Sequence, residues 1–186
     1  RKISKPTIIV ANKIDVPAAE KNFEKLKADF PDRPIVPASG DFELALREAA
    51  KESMIRYVPG AGSFDISDPS KLSDKQKKGL EYIDGFLKRR GSTGAQQAIN
   101  NCVYNLLKMI VVFPVADVGR WSDNKGNVLP DAFLVKQGST PRDLAFEIHK
   151  DIGEKFISAV NARTGMPIGS DQPLKDGDII SIKAGR

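Results

Sequence analysis

The stretch Thr7-Ile8-Ile9-Val10-Ala11-Asn12-Lys13-Ile14-Asp15 decides how the first part of the chain is read. An apolar run rich in β-branched residues ends abruptly in a polar tetrad, Asn-Lys-x-Asp. The run predicts a strand buried on both faces, of the kind found inside parallel sheets. Ligands of such sheets sit in the crevice beyond the carboxyl ends of the strands, where the tetrad falls. The Asp15 carboxylate can accept two hydrogen bonds from the N1–H and exocyclic amine of a guanine, a donor pair that adenine lacks. The aliphatic stem of Lys13 can lie along the face of a base. Asn12 can hold the loop through its amide and meet the purine edge. The competing reading is a polar loop that only caps the next helix.

The bulk properties narrow the classes. A chain of 186 residues is long enough for one large or two small domains with real cores. With 28% charged and 40% hydrophobic residues it is expected to fold rather than stay disordered. The longest apolar run, Met109 to Phe113 with Val115 and Ala116 beyond Pro114, is too short to span a membrane. A single cysteine, Cys102, excludes an intrachain disulfide and suits a reducing, cytoplasmic setting. One histidine and one cysteine argue against a structural zinc site. The net charge of +5 permits RNA or ribosome contact, but a solvated surface is the commoner explanation of such an excess. No membrane or DNA partner is expected. The chain opens on Arg1-Lys2 without an initiator Met and reaches its strand within a few residues. A lone strand makes no parallel sheet, so the chain reads as the C-terminal part of a longer protein.

After Asp15 a helix is expected, with Pro17 in its first turn and Phe23, Leu26 and Phe30 on one face. A short strand, Ile35-Val36, leads into a second polar turn, Pro37-Ala38-Ser39-Gly40. Asp41 is a candidate cap for a helix from Phe42 to Ile55, whose apolar side holds Leu44, Leu46, Ala49 and Ala50. Strand, turn, helix, strand, turn, helix is the end of an α/β domain. The second turn lies at the same sheet edge as the first. Ser39 can steady Asp15 there, and the Gly40 N–H can donate to a guanine O6. The Gly-rich stretch from Val58 to Pro69 reads as a loop, since it lacks the Gly-Lys-Ser/Thr ending of a phosphate-binding loop. A helix follows, capped by Ser73, with Leu80, Ile83, Phe86 and Leu87 inward and Lys88-Arg89-Arg90-Gly91 at its end. Beyond Gly91-Ser92-Thr93-Gly94, a helix from Gln96 to Met109 turns Ile99, Val103, Leu106 and Leu107 toward a core, with Cys102 packed on that side.

The last third changes character. Strands are expected at Ile110–Phe113, Ala132–Val135, Phe156–Val160 and Ile179–Ile182. Between the second and third lies a helix capped by Thr140, with Pro141 in first position and its end near Gly153. Two strands, a helix and two more strands make a β-grasp, ubiquitin-like arrangement.

Four phrases in this region resemble a TGS domain: Val128-Leu129-Pro130-Asp131-Ala132, Gly138 to Ala145, Ile148-His149-Lys150-Asp151-Ile152-Gly153, and Leu174-Lys175-Asp176-Gly177-Asp178. Asn12-Lys13-Ile14-Asp15 and Pro37-Ala38-Ser39-Gly40 resemble the fourth and fifth GTPase motifs. That order, then a helical segment and a TGS-like tail, resembles the Obg superfamily of GTPases in its YchF-like branch, and within it the archaeal and fungal subgroup. The fold is then α/β and α+β: the C-terminal end of a P-loop GTPase domain (1–56), a loop and helical linker (57–108), and a TGS β-grasp domain (109–186). Some YchF-like proteins end the tetrad in Glu and prefer ATP; Lys13 and Asp15 favour guanine. The fifth motif usually reads Ser-Ala, and here Gly40 keeps the backbone N–H in a looser turn.

The resemblance implies guanine-nucleotide binding (GTP/GDP) by Asn12, Lys13, Asp15, Ser39 and Gly40. It implies GTP hydrolysis with Mg²⁺ in a longer parent protein, and a role in ribosome- or RNA-linked regulation. No Gly-x-x-x-x-Gly-Lys-Ser/Thr and no Asp-x-x-Gly switch pattern occurs in the sequence, so no catalytic residue and no metal ligand is assigned here. The chain alone is expected neither to bind GTP tightly nor to hydrolyse it. The alternative is a stand-alone TGS-type module, without enzymatic activity, for RNA, ribosome or a regulatory nucleotide. Arg142, Lys150, Lys155, Arg163, Lys183 and Arg186 are its candidate phosphate contacts. His149, without a partner in the motif, reads as structural.

Overall fold

The computed structural model describes residues 6–185. The chain divides into two compact units, the first running to Leu106 and the second starting at Leu107.

The first unit begins with strand β1 (Ile9–Ala11), helix α1 (Ala19–Asp29) and strand β2 (Ile35–Pro37). The two strands pair in parallel, Ile9 opposite Ile35 and Ala11 opposite Pro37. Parallel neighbours end on the same edge, so the segments after β1 and after β2 emerge side by side. β1 pairs only with β2 among the described residues, and Val10 is 45% exposed, so the strand is not buried on both faces as its sequence predicted. Pro17 stands in the turn ahead of α1 rather than in its first turn.

Helix α2 (Gly40–Lys51) is capped by Ser39, whose Oγ accepts from the Phe42 N–H at 3.3 Å; Asp41 is inside the helix. α2 stops at Lys51, and Ile55 belongs to β3 (Ile55–Arg56), which pairs antiparallel with β4 (Asp65–Ile66). Helix α3 (Asp74–Arg90) opens with a reciprocal capping box between Ser73 and Gln76 and ends at Gly91, whose φ of 79° needs no Cβ. Its stripe Leu80, Ile83, Phe86 and Leu87 is buried against Ile14, Phe23, Leu46, Ile55 and Leu72. Leu44 lies outside this core, exposed on α2.

Helix α4 (Ala95–Asn100) continues as a π-helical turn, Asn101–Leu106. The change from i→i+4 to wider i→i+5 winding breaks the stripe expected over 96–109, and Ile99 is exposed. Side-chain amides back up this winding, Asn101 Nδ2 donating to Gln97 O (2.9 Å) and Asn105 Nδ2 to Asn101 Oδ1 (2.8 Å).

The second unit is a five-stranded sheet of β5 (Met109–Val115), β6 (Phe133–Lys136), β7 (Phe156–Asn161), β8 (Met166–Ile168) and β9 (Asp178–Ala184), in the order β6-β5-β9-β7-β8. β5 and β9 run parallel and the other pairs antiparallel. β8 had no clear signal, because its Met-Pro-Ile sits directly after a turn. Helix α5 (Pro141–Ile148) packs Leu144, fully buried, against Ile110, Val112, Val135, Ala159 and Ile180. His149 breaks it from α6 (Lys150–Glu154), where its Nδ1 accepts from the Asp151 N–H at 3.1 Å. The connector between β5 and β6 gathers Trp121 and Leu129 on Val115, Ala162 and Ile179, and the Trp121 indole N–H donates to Ala162 O (3.2 Å).

Thr140 and Asp143 form a capping box at the start of α5. Thr140→Ala is expected to cost about 1 kcal/mol of stability, with Thr140→Ser near wild type, read by urea denaturation.

Candidate functional site

The polar tetrad and the second turn meet at the carboxyl edge of β1 and β2. Three hydrogen bonds tie them. The Ala38 N–H donates to Ala11 O (3.0 Å), the Ile14 N–H donates to Ala38 O (3.1 Å), and the Gly40 N–H donates to Asn12 Oδ1 (3.0 Å). Asn12 Oδ1 also accepts from the Lys13 N–H (2.8 Å). One side-chain oxygen therefore fixes both turns, and Asn12 is the loop-holding residue its type suggested. The structure engages the Gly40 N–H internally rather than leaving it open. Gly40 begins α2, whose first-turn N–H groups lack intrahelical partners, and that end of the helix is electropositive.

Lys13 has φ of 66°. The left-handed region costs an L-residue with a long side chain roughly 1–2 kcal/mol. Such strain persists where the surroundings over-determine it, and it clusters at functional sites. Here it is held by the Asn12 bond and by burial of Ile14, 7% exposed, in the core directly after it.

Asp15 is the anomaly of the edge. Its Oδ1 is shut off from solvent and has no hydrogen-bond partner among the described residues. A buried acceptor left unmade costs about 1–3 kcal/mol. The Ser39 hydroxyl accepts from the Phe42 N–H and so serves as a helix cap, where it had been expected to steady Asp15. A depression of about 400 Å³ lies beside the tetrad, against Asn12, Lys13, Val16, Phe23 and Leu26; neither Ser39 nor Gly40 lines it, so it is not the gap between the turns.

The second turn is braced from behind by residues that the motif reading missed. Glu43, 7% exposed, accepts from Arg47 Nε (2.6 Å), Tyr57 OH (2.8 Å) and Thr93 Oγ1 (2.6 Å). Burial alone would push its carboxyl up. The hydrogen bonds from Thr93, Arg47 and Tyr57, with the Arg47 charge, outweigh that and hold it below the ordinary glutamate value. Burial and the bond to Glu43 push the Tyr57 hydroxyl the other way, up. The sequence carried one signal: Glu43 falls three residues before Leu46, on the apolar side of α2.

The candidate phosphate contacts of the second unit do not form one patch. Arg142 and Lys150 sit on α5 and α6. Lys183 alternates with Ile182, which packs under α5, so it belongs to the opposite face of the sheet. Lys155 follows α6, and Arg163 is engaged locally, its guanidinium donating to Gly177 O (3.0 Å) and lying over the Trp121 ring. Arg186 falls outside the described residues.

Comparison with known proteins finds two family models, the first reaching past Leu106 through β5. A family model described as Obg-like GTPase YGR210-like, G4 motif-containing domain, matches residues 10–117, and a TGS domain model matches residues 125–184. The chain belongs to this Obg-like GTPase family and carries a TGS domain. An uncharacterised GTP-binding protein of Methanocaldococcus jannaschii is 50% identical over 182 residues, covering 98% of this chain and 46% of that protein. One of Schizosaccharomyces pombe is 37% identical over 145 residues, covering 73% and 35%. The crystal structure of a GTP-binding protein from Pyrococcus horikoshii matches with a TM-score of 0.76 at 39% identity, over 100% of this chain and 47% of that one. The YchF GTPase of S. pombe matches at 0.54 and 16% identity, over 96% and 43%, a likeness of fold alone. The chain thus spans less than half the length of each of these relatives.

A carboxyl whose folded value is depressed stabilises fully above its unfolded value and loses that contribution as pH falls through the folded one. Wild-type stability should therefore fall more steeply than that of Glu43→Gln as pH drops below about 4.5, the ordinary value; thermal melts between pH 6 and about 3 read the difference.

Proposed function

We propose that this chain supplies the base-reading half of a guanine-nucleotide site in a GTPase, together with a β-grasp module that docks on RNA or the ribosome. The observation that carries the first part is the buried, unpartnered Oδ1 of Asp15 beside two cross-tied turns at a parallel-sheet edge. A guanine N1–H and 2-amino group supply the donors that this carboxylate lacks. The stem of Lys13 covers one face of the base. Asn12 keeps the two turns in register and presents its amide nitrogen to the purine edge. Ser39 and Gly40 open α2 toward the O6, with the Ser39 hydroxyl capping that first turn.

Hydrolysis in this reading is phosphoryl transfer to water, with the phosphate-binding and switch groups outside these residues. Mg²⁺ in this reading belongs with those groups, on the phosphates that they hold. The supporting facts are the family of the chain and the printed descriptions of its relatives as GTP-binding proteins. The module reading for the second unit is supported by its TGS match and by exposed Arg142 and Lys150 on α5 and α6. A cytoplasmic location accords with the single, unpaired Cys102.

In the complete GTPase, Asp15→Asn should weaken GDP binding by roughly a hundredfold or more, because an acceptor meant for two guanine donors then holds a donor of its own; binding unchanged within twofold would sink the base assignment. Affinity of this chain for single-stranded RNA should fall steeply and linearly in log–log terms with salt, and fluorescence titrations at two or three salt concentrations that show no slope would remove the phosphate-contact reading.

A further inference from the structure

The loop Gly91–Gly94, far from either GTPase-like motif in sequence, touches the second base-reading turn at two points and the helix α2 behind it at a third. The Ser39 N–H donates to Thr93 O at 2.8 Å. Thr93 Oγ1 donates to Glu43 Oε2, one helical turn beyond Ser39 on α2. Gly94 lies so close that a Cβ there would stand 2.0 Å from Pro37 O and 2.8 Å from Ala38 Cα, and its φ is +86°. Thr93 is 1% exposed and Ser39 is fully buried.

These contacts complete a clamp. The front of the turn is held by Asn12 and Ala11; the back is held by Thr93 and Gly94. We propose that Thr93 and Gly94 are positioning residues for guanine recognition: they form a third segment of the base site that sets where the Ser39–Gly40 turn stands. The proposal rests on the guanine reading above. Thr93 touches no nucleotide in it and acts through the turn.

The chemistry suits that task. Glu43 is a buried carboxylate with three donors, and one of them is the Thr93 hydroxyl. Removing that hydroxyl leaves a lone pair of a buried charge unpaired, which water or a local shift must then satisfy. The Thr93 carbonyl sits on the same residue, so any retreat of the loop also lengthens the bond from Ser39. Gly94 explains why the loop can approach at all, since every other residue type would meet the Pro37 carbonyl. Misplacing a binding group by about 1 Å can cost on the order of a hundredfold.

The test compares Thr93→Val, which keeps the shape and loses the hydroxyl, with Thr93→Ser, which keeps the hydroxyl. Leu80→Ala serves as a control that weakens the same core away from the turn. Two quantities are read: hydrogen exchange of the Ser39 and Gly40 amides in this chain, and GDP affinity of the complete GTPase. Thr93→Val should speed exchange at Ser39 and Gly40 at least tenfold and weaken GDP binding about tenfold, while Thr93→Ser stays within threefold of wild type on both. Leu80→Ala should lower the melting temperature without moving the GDP affinity of the folded protein. In the unmutated GTPase, GDP should also slow exchange at Thr93 and Gly94, because coupling between sites is reciprocal. Equal effects of Thr93→Val and Leu80→Ala, or no protection at Thr93 and Gly94 by GDP, would overturn the proposal. If Asp15→Asn leaves GDP binding intact, the guanine reading fails instead; if Asp15→Asn weakens binding and Thr93→Val does not, only the clamp fails.

Discussion

A single buried carboxylate organises the first unit. Glu43 cannot stay charged at 7% exposure unless several donors converge on it, and the three that do come from three separate segments: α2 itself, the loop after β3, and the loop after α3. Satisfying it fixes Tyr57, whose hydroxyl in turn accepts from the Gly60 N–H, and Thr93, whose carbonyl holds the Ser39 N–H. The turn after β2 is therefore placed by a network whose centre lies one helical turn behind it. The apolar core, with Leu46 and Leu87 fully buried in it, packs the same unit, but packing tolerates small shifts that a closed set of charged hydrogen bonds does not.

Elements whose ends carry local chemistry were legible from sequence. Ser73 with Gln76, and Thr140-Pro141 with Asp143, are capping boxes that name their own position, and α3 and α5 begin where those residues put them. The 3.6-residue stripe of α3 was equally clear, and all four of its apolar positions are buried. What failed depends on distant context. Leu44 and Ile99 fit helical apolar stripes yet lie exposed, because nothing local says which side of a helix meets the core. The π turn at 101–106 comes with side-chain bonds of Asn101 and Asn105 that no apolar periodicity anticipates. β8 is a strand only because β7 pairs with it.

The edge of the parallel strands divides in the same way. The tetrad and the second turn are contiguous motifs, and the parallel pairing of β1 with β2 brings them together as their order required. The partners of Ser39 and Gly40 were not legible. Ser39 caps α2 through the Phe42 N–H, and Gly40 donates to Asn12 across 28 residues of sequence. Glu43 and Thr93 are 50 residues apart, and only the fold makes them neighbours.

The left-handed backbone of Lys13 has a thermodynamic consequence of its own. Its φ of 66° is held by the fold itself, through the bond to Asn12 and the burial of Ile14 that follows it. Backbone strain and the fixed shape of the loop are therefore one and the same at this residue. A glycine in place of Lys13 would relieve the backbone, and the same freedom would let the loop leave the shape that it now keeps. The edge thus behaves as a spring wound once, at folding, and released only when the unit unfolds.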